Sequence, residues 1–165
     1  MGRPLKNLTT VPWGKLSSCQ GPSDRIPSLL SRMAWSEREG ALEALEELSE
    51  RVCELGFVVS EVTPRVIPFL LELAGREGSE IREEILSLLS SIYSAHQWAE
   101  AASGASSKYR AQFEEKVHWE VECRGSINAG RSIVRALAND REGPASSAAK
   151  NLLDAMNRDD PPGNS

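Results

Sequence analysis

The sequence predicts an all-α fold, a right-handed superhelical stack of helix pairs, and three observations carry that expectation. First, RIPSLLSRMA at Arg25–Ala34 recurs as VIPFLLELAG at Val66–Gly75: Ile26, Pro27, Leu29 and Leu30 fall on Ile67, Pro68, Leu70 and Leu71, each 41 residues further on. Second, the same shift carries Ala44, Leu45 and Leu48 onto Ile85, Leu86 and Leu89, so one spacing aligns two separate helical patterns. Third, the Pro, Gly and Ser clusters fall between the apolar runs, where breakers between helices belong.

The elements follow in order. Residues 1–22 are a Pro/Gly/Ser-rich lead-in, expected to be extended, with Trp13 tucked onto the first unit. A single solenoid domain is expected over 23–157, beginning with a helix over Ser23–Ala34. Ser36-Glu37-Arg38-Glu39 has the Ser-x-x-Glu form of a capping box and opens a second helix to about Leu55, with Gly56 as its stop. Thr63 and Pro64 open the next helix, to Ala74. Pro68, inside that helix, removes one hydrogen bond and is expected to bend it. The turn GREGS leads to a helix from about Glu80 toward Ala101, and SGASS at 103–107 is read as a flexible joint.

Tyr109, Phe113, Val117 and Val121, at four-residue spacing, mark an inserted helix over Ser107–Arg124. A third pair then comprises a short helix with Ile133, Val134 and Leu137, a turn at Asn139–Gly143, and a helix with Ala148, Ala149, Leu152, Leu153 and Met156. That makes about three helix pairs plus an inserted helix, near the minimum for a stable stack. Residues 158–165 read as a disordered tail.

A period of 41 with two helices per unit lies in the range of HEAT and armadillo repeats. The chain resembles small HEAT-repeat (armadillo-like) domain proteins of high-GC bacteria, over roughly Trp13 to Met156. The resemblance rests on Ile26-Pro27-Ser28-Leu29-Leu30, Ala41-Leu42-Glu43-Ala44-Leu45 and Thr63-Pro64-Arg65-Val66-Ile67-Pro68-Phe69-Leu70-Leu71, and more weakly on Ala136-Leu137 with Ala148–Leu153. It departs at Ala145-Ser146, where such units often start their last helix with Arg. These are packing positions; the resemblance implies a binding scaffold and no chemistry.

Bulk properties narrow the function. Charged residues are 26% and hydrophobic ones 40% of 165, ordinary for a globular chain of this size. No apolar run approaches the ~20 residues of a membrane helix, and MGRPLKNLTT lacks a secretory h-region. Cys19, Cys53 and Cys123 are widely spaced, an odd count that fits reduced thiols and a cytoplasmic protein. Net charge is −5, and residues 36–54 alone hold seven acids against two bases, the whole excess.

No constellation of catalytic residues stands out. Glu114, Glu115, His118 and Glu122 share a helix, but di-metal bundles need a second Glu-x-x-His on a facing helix. The only other histidine, His96, has no such pattern, so no metal or cofactor is expected. No phosphate-cradling Gly loop is present, His96 and Cys123 form no convincing dyad, and Cys53 reads as a buried small hydrophobe. Of nine aromatics four are Trp: Trp35 is expected in the core, while Trp98, near Tyr93, and Trp119 are candidate interface residues.

The functional lead is the acidic helix. If the second helix of each pair lines a concave face, Glu43, Glu46, Glu47 and Glu50 share a wall with Glu83 and Glu84. Such a wall steers a basic protein surface. The expected function is therefore a non-enzymatic protein-binding module, in its sharpest form an immunity-type inhibitor of a basic bacterial toxin. The alternative is a nucleic-acid-binding HEAT-like protein of the DNA-glycosylase type, which needs a basic stripe to track phosphates.

Overall fold

The computed structural model describes residues 5–76, 78–140 and 143–159, and it is an all-α fold. The helices are α1 (Ile26–Trp35), α2 (Arg38–Val52), α3 (Thr63–Gly75), α4 (Arg82–Tyr93), α5 (Gln97–Gly104), α6 (Ser107–Ala129), α7 (Arg131–Ala138) and α8 (Pro144–Asp159). Two hairpins of two-residue strands accompany them: β1 (Ser17–Ser18) with β2 (Gly21–Pro22) ahead of α1, and β3 (Cys53–Glu54) with β4 (Val58–Val59) between α2 and α3.

The helices pack as α1 on α2, α3 on α4 and α7 on α8. α4 lies between α2 and α8, while α3 touches α1, α6 and α7. α3 is the centre of the molecule. Thr63, Pro64, Val66, Ile67, Phe69, Leu70, Leu71, Leu73 and Ala74 are all buried, so it is apolar nearly all round, as a helix enclosed by neighbours must be. Apart from the Pro27/Pro68 pair, every position that the 41-residue shift equates is buried in both copies, from Ile26 and Ile67 to Leu48 and Leu89.

The structure also explains Pro68. α1 begins at Ile26, so Pro27 sits at a helix start, where its missing N–H matters little. α3 begins at Thr63, one turn earlier in the repeat register, and that added turn makes the equivalent Pro68 interior. The helix is continuous through Pro68, which lies on its exposed side. The added turn is held by a buried network. Thr63 Oγ1 accepts from the Ser60 N–H (2.9 Å) and donates to the Val52 carbonyl (2.6 Å). This ties the start of α3 to the end of α2.

Several expectations change. α2 starts at Arg38 with Glu37 as its N-cap and no side-chain cap, so the Ser36–Glu39 box does not form. α2 ends at Val52, and the chain turns through the β3–β4 hairpin instead of running helical to Leu55. Gly56 does take a positive φ of 82°, but at the hairpin tip. The helix expected from Glu80 toward Ala101 breaks at 94–96 into α4 and α5. The inserted helix runs on to Ala129, where Gly130 allows close approach: a Cβ there would lie 2.5 Å from Leu71 Cδ1.

From Leu5 on, the lead-in is folded onto the core rather than extended as an arm; residues 1–4 lie outside the described residues. It forms two 3-10 turns and the β1–β2 hairpin, and Leu5 and Trp13 are buried. The Trp13 ring centroid lies 5.9 Å from that of Phe69 on α3, and its Nε1–H donates to the Leu8 carbonyl at 2.7 Å. α8 extends through Arg158 and Asp159, so only 160–165 of the predicted tail lie outside the described residues, as do Glu77 of the GREGS turn and residues 141–142 of the 139–143 turn.

Candidate functional site: the exposed face of α2

α2 is amphipathic for a simple reason. Ala41, Ala44, Leu45, Leu48 and Val52 recur at three- and four-residue steps and are buried. Glu39, Glu43, Glu46 and Glu50 recur at the same steps on the opposite side and are exposed. Glu54, exposed on β3, continues the run.

The carboxylates are not equally free. Glu47 lies off the stripe, half-buried, ion-paired with Arg25 and 3.6 Å from Arg51 Nε. The hydrogen bond from Arg25 holds its carboxyl below the usual range. Glu43 has Arg32 at 3.7 Å. Glu84 on α4 bonds Arg38 at 2.8 Å, and Arg38 also donates to the Glu80 carbonyl, so this pair fastens the start of α2 to the start of α4. Among the described residues, Glu46 and Glu50 have no ion-pair partner. Glu83 is exposed on α4, the one charged residue lining a groove of about 320 Å³ with Ser87, Ser90, Ser147 and Asn151. On α2, Glu39, Glu46 and Glu50 thus form a run of exposed carboxylates without an ion-pair partner among the described residues, with Glu43 partly screened; Glu83, Glu114 and Glu115 are exposed without one elsewhere.

The aromatic candidates are placed differently from their sequence reading. Tyr93 is 4% exposed, with its hydroxyl 3.5 Å from Asn128 Oδ1, so it does not reach the surface. Trp98 and Trp119 are half-buried and pack edge to face at 6.4 Å. Trp98 also stacks on Phe113, lies 4.4 Å under Lys116 Nζ, and donates through Nε1 to the Val59 carbonyl at 2.8 Å. These contacts fix α5 to α6 and to β4. Trp35 is not core: it is 69% exposed, because it is the last residue of α1 and leaves the apolar stripe there. Its ring instead carries the guanidinium of Arg76, its counterpart in the repeat register, at 5.4 Å.

Other residues serve the frame. Buried Glu120 accepts the N–H groups of Trp98 and Ala99 at 2.9 and 3.1 Å, capping α5 from another helix; sequence periodicity gave no sign of it. His118 Nε2 and Glu122 Oε1 lie 2.8 Å apart on the exposed side of α6. Among the described residues no three His, Cys, Asp or Glu side chains are grouped to hold a metal. Cys53 and Cys123 are buried, and burial pushes both thiols up, Cys53 to about 12. No described helix is long and apolar enough to cross a membrane. No protein-family model, curated protein or solved structure matches the chain.

Proposed function

We propose that the chain is a non-enzymatic protein-binding module of the HEAT-repeat kind, whose α2 face receives a basic surface of another protein. The observation that carries this reading is the run Glu39–Glu43–Glu46–Glu50 on the solvent side of α2, with Glu46 and Glu50 unpaired among the described residues while Glu47 and Glu84 are held by arginines. Unpaired surface charges of one sign cost self-repulsion and contribute little to the fold. They steer an oppositely charged partner and repel nucleic acid. The sharpest version is an immunity-type inhibitor that covers the cationic site of a bacterial toxin, such as a nuclease, in the cytoplasm.

The test is the triple variant Glu43→Lys, Glu46→Lys, Glu50→Lys. It should keep the fold, because solvated substitutions usually change stability within about 0.5 kcal/mol each. It should lose a basic partner that wild type captures, and wild-type binding should weaken as salt screens charges beyond about 8–10 Å. Equal capture by both proteins, or tight binding of wild type to duplex DNA, refutes the reading.

A further inference from the structure

Three of the five large apolar side chains left exposed among the described residues, Trp35, Leu55 and Phe57, flank α2 in sequence. Trp35 has Arg76 on its ring, and the other two occupy the tip of the β3–β4 hairpin. Leu55 is 80% exposed, the highest value in that set, and Phe57 is 43% exposed. Leu55 also has φ of 56°, the left-handed region that suits Gly or Asn and disfavours a side chain branched like leucine. The tip is closed by its own backbone bonds: the Gly56 and Phe57 N–H groups donate to the Cys53 and Glu54 carbonyls at 3.0 and 3.1 Å. Turn closure thus needs neither the Leu55 nor the Phe57 side chain. A residue costly in backbone energy, at a position where it buries little, is spent on something outside the fold.

We propose that the hairpin tip is the apolar anchor of the docking surface, and that its occupant is a cationic amphipathic segment of another protein. The proposal rests on the acidic-face reading and names the chemistry that face receives. Charge selects the occupant. The tip continues directly from Glu50 and Glu54, so whatever covers Leu55 and Phe57 lies beside that acidic run. A second copy docking through the same surface would bring like charges together, and an anionic lipid surface would be repelled. A segment with leucine-like side chains on one side and Lys or Arg beside them satisfies both parts. The apolar side chains cover the tip, and the cations meet Glu46, Glu50 and Glu54.

The test uses two labelled synthetic helices of equal positive charge, one of Leu and Lys, the other of Gln and Lys, with binding read by fluorescence anisotropy. The variants are Leu55→Asn, which suits the left-handed backbone, and the triple glutamate-to-lysine variant. Leu55→Asn should have an unchanged or raised Tm, bind the Leu/Lys helix at least fivefold more weakly, and bind the Gln/Lys helix as wild type does. If Leu55→Asn binds the Leu/Lys helix as tightly as wild type, the anchor is overturned. In that case, weak binding by the triple variant leaves the acidic-face reading standing, and undiminished binding removes both. Concentration-dependent dimerisation of wild type, abolished by Leu55→Asn in sedimentation, would make the occupant a second copy and overturn the proposal.

Discussion

Replacing Glu120 by alanine should cost far more than a change to a surface glutamate, and the structure fixes why. Glu120 is 1% exposed, and its two oxygens accept the backbone N–H groups of Trp98 and Ala99. Those donors lie in the first turn of α5, where no intrahelical acceptor exists. Hydrogen bonds to a charged group contribute about 1.5–3 kcal/mol each, which puts the pair at roughly 3–6 kcal/mol. Part returns when water reaches the freed N–H groups, because α5 has no fully buried residue. We expect Glu120→Ala to lose about 2–4 kcal/mol, a large share of a typical 5–15 kcal/mol total. Glu120→Gln keeps one acceptor oxygen but turns an amide NH₂ toward the other donor, and should lose about 1–2 kcal/mol. Urea denaturation gives the magnitudes, and hydrogen exchange at the Trp98 and Ala99 amides gives the location. Should Glu120→Ala stay within about 0.5 kcal/mol of wild type, with both amides still protected, the capping argument is wrong.

Three further outcomes are expected. Leu45→Ala and Leu86→Ala, at buried positions equated by the repeat shift, should each destabilise by about 2–5 kcal/mol in denaturant titrations, and a neutral change at either would break the equivalence. A thiol reagent should reach only half-buried Cys19 in the folded protein and all three cysteines in denaturant; rapid labelling of Cys53 or Cys123 in the fold would contradict their burial. His96 should titrate above 6.5, because the Ser94 carbonyl, first, and Glu100, second, favour its charged ring. Its contribution to stability is then complete below the unfolded value and fades as pH rises through the folded one; an NMR midpoint at or below 6.5 would refute this.

The packing of pairs was legible because it is periodic. Ile26, Leu29, Leu45 and Leu48 and their copies repeat both the helical step and the unit length, and all are buried. The ends of helices were less legible, because they depend on which neighbour supplies the last hydrogen bonds. The final carbonyls of the first helix in each pair show this. Arg82 Nε donates to the Ala74 carbonyl at 2.7 Å, and buried Ser146 Oγ donates to the Ala138 carbonyl at 2.9 Å. Both donors stand eight residues beyond their acceptors. Ser146 therefore makes, with a different side chain, the bond that Arg82 makes in the preceding pair. In the first pair Ala41 holds the place of Arg82 in the register, and the Ala34 carbonyl is met instead by Arg76 from the next unit, at 2.9 Å.

The same logic separates the parts of the candidate site. The acidic run on α2 could be read directly, since a solvent-facing stripe needs only the helical step and the sign of its charges. α6 could not. Its apolar residues Tyr109, Phe113, Val117 and Val121 suggested one stripe, yet Tyr109 and Val121 are exposed, while Glu120, Cys123 and Ile127 are buried. The helix packs on α5 as well as on α3 and α4, so no single stripe describes it. Glu120 is buried because two unpaired N–H groups of α5 lie where it points. Leu55 presents the converse case: an apolar residue that sequence hydropathy assigns to a helix end, but that the hairpin carries into solvent in a backbone conformation leucine disfavours. Glu120 satisfies donors inside the fold, and the structure accounts for it. Leu55 satisfies nothing there, so its role has to be sought in what the tip meets.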